Sequence, residues 1–198
     1  MKKVKRKGFF IGFKRNVDES FNYISKGRRY IYFSISLFIL SGLFGFFFNS
    51  HLSFINQFLK DILSQTSGLS YFPLIIKIFT NNAYVSLLSI ILGFILGIVP
   101  LLNALTNGVV LGYVLAKVYA ISGFTEFWKI LPHGIFELPA VFISLGLGLK
   151  TGMALFSKKP VNEIKYRLIQ SIKVFLFVVV PLLILAAIIE GTLIHFLE

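Results

Sequence analysis

The chain has 198 residues, of which 56% are hydrophobic, 16% aromatic and only 14% charged. An ordinary soluble domain carries about 25% charged residues, so a soluble fold of this size would leave much apolar surface uncovered. Disordered chains are poor in apolar and aromatic residues and are excluded as well. The absence of cysteine excludes disulfides, thiolate metal sites and a cysteine nucleophile. The composition therefore predicts an integral membrane protein.

Apolar runs long enough to cross a bilayer, which takes about 20 residues, occur in five places. The run at 30–48 has a core too long for a signal peptide and is typical of a retained signal anchor. The region 83–122 is long enough for two spans, and we divide it near Pro100 because proline, asparagine and glycine form turns. We predict an all-α bundle of about five transmembrane helices in one membrane domain, 30–198, with spans at about 30–48, 83–101, 104–121, 130–149 and 174–194.

Two segments outside these spans have the spacing of amphipathic helices. Residues 1–29 form a basic segment, and apolar side chains recur every three or four residues over 9–24, which predicts a cytoplasmic interfacial helix. Residues 50–80 predict further amphipathic helices on the outer side, where Tyr71–Thr80 is too short to span and forms an interfacial or partly re-entrant helix. We expect four asparagines to lie at polar turns and interfaces: Asn81, Asn82, Asn103 and Asn107.

The positive charges mark one side of the membrane. The net charge is +12, and sixteen of the twenty Lys and Arg residues lie in 1–29 and 150–173. The positive-inside rule then predicts a cell-membrane protein with a cytoplasmic N-terminus and an external C-terminus. Basic residues near the surface also attract anionic lipids. Nucleic-acid binding is not predicted, because the basic residues flank spans and form no recognisable binding motif.

Small residues recur four positions apart in the spans, which allows helix backbones to approach closely. We expect such packing at Gly93, Gly97, Gly108, Gly112 and Gly148. The spacing leaves open whether the neighbouring helix belongs to the same chain, to a second copy or to another membrane protein.

Four ionisable residues lie within predicted spans, where charges are expensive and normally face protein or water: Lys117, His133, Glu137 and Glu190. Rise per residue places all four in the outer half of the membrane. We expect Lys117 to pair with Glu137 or Glu190, and His133 to bond Glu137, four residues further along the same helix face. Such a cluster serves either as a structural core or as a substrate or proton pathway.

A catalytic set is not apparent in the sequence. It contains no HExxH motif and no phosphate-binding glycine loop, and Ser67 has no partnered base. A metal site built from His133, Glu137 and Glu190 has suitable ligand types but poor spacing. We therefore predict a protein without enzymatic activity, cofactor or metal, which acts as a scaffold or complex subunit. A transporter or channel subunit is the second hypothesis, and a metal-dependent intramembrane hydrolase is the third.

Several motifs together resemble those of the stage II sporulation protein M family, multi-pass membrane proteins of bacteria and archaea. The resemblance covers about residues 20–194. It implies a non-enzymatic membrane partner or anchor, since the namesake belongs to a complex that remodels the cell envelope beside separate wall hydrolases. The stretches that carry it are Asn81-Asn82-Ala83, Pro100 with Asn107-Gly108-Val109-Val110-Leu111-Gly112, His133-Gly134-Ile135-Phe136-Glu137-Leu138-Pro139-Ala140, Gly146-Leu147-Gly148-Leu149 and Ala186-Ala187-Ile188-Ile189-Glu190.

Overall fold

Seven α-helices make up most of the computed structural model, which describes the backbone of residues 2–197 and the side chains of residues 12–124, 127 and 134–196. Within the described backbone there is no β-strand. In chain order the helices are α1 (Lys2–Phe47), α2 (Ile55–Thr66), α3 (Tyr71–Ile91), α4 (Ile98–Ser122), α5 (Phe127–Gly152), α6 (Pro160–Val174) and α7 (Val180–Leu197).

Five helical segments exceed the length of about 20 residues that a bilayer requires. The predicted fold class, an all-α integral membrane protein with about five spanning helices, is confirmed. Helix α2 is the short helix outside this set, and Ile55 at its start is buried whereas Phe58 and Leu63 are exposed. The five segments are Gly12–Phe47, Tyr71–Phe94, Ile98–Ser122, Gly134–Phe156 and Pro160–Phe196.

Helix α1 is longer than the sequence predicted. It runs without a break from Lys2 to Phe47, whereas we expected an interfacial helix over 9–24 and a separate span at 30–48. The sequence of α1 contains no proline, and a glycine inside a helix costs only about 1 kcal/mol relative to alanine. Nothing in the chain therefore ends the helix between its basic half and its apolar half.

Helix α3 is also continuous, and the break expected after Tyr71–Thr80 is not present. Pro73 is the third residue of α3, where a backbone N–H has no partner within the helix, so proline does not interrupt it there. Lys77 Nζ donates a hydrogen bond to Gln65 Oε1 of α2 at 3.0 Å. This bond gives the one basic side chain of α3 a polar partner on the neighbouring helix.

The turn between α3 and α4 lies at residues 95–97, earlier than the division near Pro100 that the sequence predicted between spans at 83–101 and 104–121. Leu96 and Gly97 have φ angles of +52° and +71°, and glycine enters this left-handed region without steric cost. Pro100 is the third residue of α4, again in the first turn where its missing N–H does no harm. The predicted turn formers are therefore part of a helix.

A short π-helical segment, Phe175–Val179, joins α6 to α7 and keeps the last 38 residues of the described backbone helical. Pro181 follows this segment. Proline lacks an N–H and crowds the carbonyl four residues earlier, and a wider π turn is one of the usual ways in which a helix accommodates such a disturbance. The predicted span at 174–194 is therefore the apolar part of a longer helix.

The main hydrophobic core lies where α1, α3, α5 and the α6–α7 segment meet. A smaller cluster joins α3 to α7 near the start of α3. The first cluster includes Tyr23, Ile90, Ala140, Leu147, Val174 and Val179, and the second is formed by Leu74, Ile78 and Ala187. Helix α5 thus packs against α1, α3, α4 and α7, and its residues Ser144 and Thr151 are buried among them.

Candidate functional site

Helices α1 and α4 pack backbone against backbone. A Cβ atom added at Gly112 would overlap the carbonyl of Gly42, and one added at Gly45 would overlap the backbone of Val109. A Cβ atom at Gly108 would likewise overlap α1. We call this contact the α1–α4 seam, formed by Ser41, Gly42, Gly45, Gly108 and Gly112.

A second contact of the same kind joins the end of α3 and the following turn to the end of α5. A Cβ atom at Gly93 would overlap the backbone of Gly148, and one at Gly148 would overlap the carbonyl of Ser89. A Cβ atom at Gly152 would overlap the backbone of Gly97. We call this contact the α3–α5 seam. The five glycines singled out in the sequence thus lie at two helix contacts within one chain.

Glu137 lies on α5 and Glu190 on α7, two helices that pack against each other. Both side chains are half-buried. Glu137 is ten residues from the start of α5 and Glu190 seven from the end of α7, or about 15 Å and 10 Å along the helices. No ion pair or hydrogen bond joins either carboxylate to another described side chain.

Lys117 does not pair with either glutamate, contrary to our expectation. Its side chain is exposed, and Nζ lies 5.2 Å from the centre of the Tyr113 ring on the same helix. Tyr113 in turn donates a hydrogen bond to Asn56 Oδ1 at 2.7 Å, which ties α4 to α2. The expected bond between His133 and Glu137 lies outside the described side chains.

The four asparagines lie inside helices rather than at turns. Asn81 and Asn82 are in the middle of α3, the first exposed and the second half-buried. Asn103 Nδ2 donates to Ser89 Oγ at 2.7 Å across the contact between α3 and α4, whereas Asn107 is exposed and donates to the Asn103 carbonyl at 2.9 Å. Of these four asparagines, only Asn103 therefore makes a hydrogen bond to another helix among the described residues.

A polar network at the basic end of the bundle was not predicted. Lys150 Nζ lies 3.4 Å from the centre of the Tyr23 ring and donates to the Tyr23 carbonyl at 3.4 Å. Arg167 donates to the Lys150 carbonyl and pairs with Glu163 at 2.7 Å. A further ion pair joins Lys173 to Glu19. The spacing of Glu163 and Arg167, four residues apart, is the one signal in the sequence that points to part of this network.

The acidic and histidine side chains that the structure describes do not form a metal centre. No group of three His, Cys, Asp or Glu side chains comes together among the described residues. The two glutamates supply at most two ligands, and His133, the third residue of the metal hypothesis, lies outside the described side chains.

The fold is that of an integral membrane protein with five helical segments long enough to span a bilayer. Residues 34–193 match the family described as SpoIIM, Stage II sporulation protein M, so the chain belongs to that family and the resemblance seen in the sequence is confirmed. A curated relative, the uncharacterised protein MJ0706 of Methanocaldococcus jannaschii, is 33% identical over 128 residues, which cover 61% of this chain. The chain matches 55% of that relative's length. No solved structure matches the chain.

We expect Gly112→Ala to lower the free energy of unfolding by about 1–3 kcal/mol, the usual effect of overpacking a close contact, because the new methyl group meets the backbone of α1. Gly12→Ala in α1 is the matched control, since no atom lies within 4 Å of the added Cβ and alanine favours the helix. Thermal unfolding of the purified protein in detergent compares the two. Equal melting temperatures would contradict the α1–α4 seam.

We expect Glu137→Gln and Glu190→Gln to have non-additive effects on stability, with a coupling of about 0.5–3 kcal/mol, because the two half-buried acids lie on helices that pack against each other and have no described cationic partner. A double-mutant cycle measured by unfolding in detergent reports this coupling. The control cycle combines Glu137→Gln with Lys117→Gln and should be additive within about 0.5 kcal/mol. If the cycle with Lys117→Gln shows coupling and the cycle of the two glutamates shows none, the result would contradict the structure and support the pairing of Glu137 with Lys117.

Proposed function

We propose that this protein is a non-enzymatic multi-pass membrane protein that acts as a scaffold or subunit of a membrane complex. The observation that carries this proposal is the backbone contact along the α1–α4 and α3–α5 seams. Such contacts lock helices at one distance, because any shift separates the close-packed surfaces on which helix association in lipid depends. A fixed arrangement of helices suits a scaffold protein, because its partners then bind at constant relative positions.

The proposal includes an orientation in the cell membrane. The N-terminus and the loop between α5 and α6 lie in the cytoplasm, and the C-terminus lies outside. The support is the distribution of charge, since sixteen of the twenty basic residues belong to 1–29 and 150–173 and basic residues are retained on the cytoplasmic side. In this orientation α2 lies on the outer side of the membrane. Phe54, Phe58 and Leu63 are exposed there, and they form an apolar surface to which a partner protein can bind.

Affinity isolation of the tagged full chain from its native membranes in mild detergent tests the scaffold proposal. We expect other membrane proteins to be recovered in a fixed ratio to the tagged chain, and to be absent from a parallel isolation of an unrelated five-span protein. Isolation of the Phe58→Gln variant should recover less of any partner that binds α2, whereas Tyr166→Gln changes an equally exposed aromatic residue at the other end of the chain. Recovery of this chain alone would contradict the proposal.

A transporter or channel subunit is the alternative, and one observation favours it. Glu137 and Glu190 are half-buried acids on two helices that pack together, and neither has a described cationic partner. Intramembrane acids often line ion or proton pathways. Against it, the cavity between α1 and α5 has neither glutamate in its lining. The described structure thus offers no open path to the pair from that side.

Flux through reconstituted vesicles separates the two functions. A pH-sensitive dye enclosed with the full chain should report no proton flux above that of protein-free vesicles if the scaffold proposal holds. Flux that is abolished by Glu190→Gln, but not by Asp61→Asn on the exposed helix α2, would overturn it in favour of transport.

A further inference from the structure

An apolar groove runs along the outside of the bundle between α1 and α5. Its volume is about 320 Å³. Ile31 and Ile35 of α1 and Phe142 and Ile143 of α5 form its walls, and Arg28 is the one charged residue in its lining. The groove therefore combines a long apolar surface with a single positive charge.

Arg28 has no partner among the described residues. Its side chain is exposed, and it takes part in no hydrogen bond or ion pair there. Two neighbouring basic side chains are engaged, since Arg29 donates to the Tyr30 hydroxyl at 2.6 Å and Lys150 lies over Tyr23. Lys26 is exposed but is not part of the groove's lining. Arg28 is thus the basic side chain in the lining that is free to bind an anion.

The apolar part of the groove begins at Arg28. From Arg28 to Ile35 the lining on α1 extends seven residues, or about 10 Å along the helix. One leaflet of a hydrocarbon core of about 30 Å is about 15 Å thick. A lipid whose phosphate is on Arg28 can therefore lay the first two thirds of one acyl chain along this wall.

We propose that this groove is a binding site for an anionic phospholipid, with one acyl chain between α1 and α5 and the phosphate on Arg28. The guanidinium group suits this role because it binds phosphate oxygens with two parallel hydrogen bonds and is always charged. The apolar walls suit a hydrocarbon chain, since hydrophobic attraction does not depend on direction. The site goes beyond a scaffold role and does not depend on it.

Native mass spectrometry of the full chain in detergent, titrated with dioleoyl phosphatidylglycerol, tests the site. We expect one lipid to bind more tightly than the rest, and dioleoyl phosphatidylcholine to bind more weakly at the same position. Arg28→Gln should weaken the first phosphatidylglycerol about fivefold, the effect of one basic residue near an anionic surface. Lys14→Gln removes an equal charge from an exposed position on the same helix and should leave that affinity unchanged. An equal loss in both variants would overturn the site in favour of general attraction to a basic surface.

Two further measurements address the groove itself. Ile35→Phe fills the apolar wall without changing charge, and we expect it to weaken the first lipid while Arg28 remains in place. Glycerol phosphate, which has the anionic group but no acyl chain, should not compete with the lipid at millimolar concentration. Unchanged binding to Ile35→Phe, in a protein with wild-type thermal stability, would overturn the proposal, as would effective competition by glycerol phosphate.

Discussion

Direct contact between helix backbones is the constraint on which the rest of this bundle depends. Lipid tails are as apolar as leucine, so helices in a bilayer associate through close packing and not through removal from water. The α1–α4 seam and the α3–α5 seam provide that packing at glycines, where an added methyl group would overlap the opposite backbone. The two seams determine which helices are neighbours. In the α3–α5 seam the turn at 95–97 contacts the end of α5.

The same exclusion of water explains how small polar residues take part in these seams. A buried hydroxyl must find a partner, and a helix offers its own carbonyls three or four residues back. Ser41 Oγ donates to the Phe38 carbonyl at 3.0 Å, and Ser89 Oγ donates to the Val85 carbonyl at 2.8 Å. Both residues are therefore small enough for close approach and locally satisfied. Glu137 and Glu190 differ from them, because neither half-buried carboxylate has a hydrogen bond or ion pair to another described side chain. This contrast makes the two acids candidates for a functional role.

Composition and residue spacing predicted which segments span the membrane and which glycines approach other helices. They did not predict where one helix ends or which way a side chain points, because both depend on the packing of distant residues. The five spans and the glycines that approach other helices carry local signals that do not depend on the rest of the fold. The division near Pro100 was misplaced because proline is harmless in a first helical turn and Asn103 bonds to Ser89 from within α4. The pairing of Lys117 failed because depth in the membrane does not determine which way a helix face points, and that side chain turns toward Tyr113.

The lipid groove follows from the way in which α1 shares its surface between two neighbours. Near Gly42, α1 makes its closest contact with α4, and at Ile31 its backbone contacts Gly146 of α5. The larger rings of Phe38 and Phe142 meet edge to face at 5.1 Å between centres. The groove lies beside this contact with α5 and opens toward lipid. Because the positive charges of α1 lie at the end away from the α1–α4 seam, an arginine, Arg28, is part of the groove's lining.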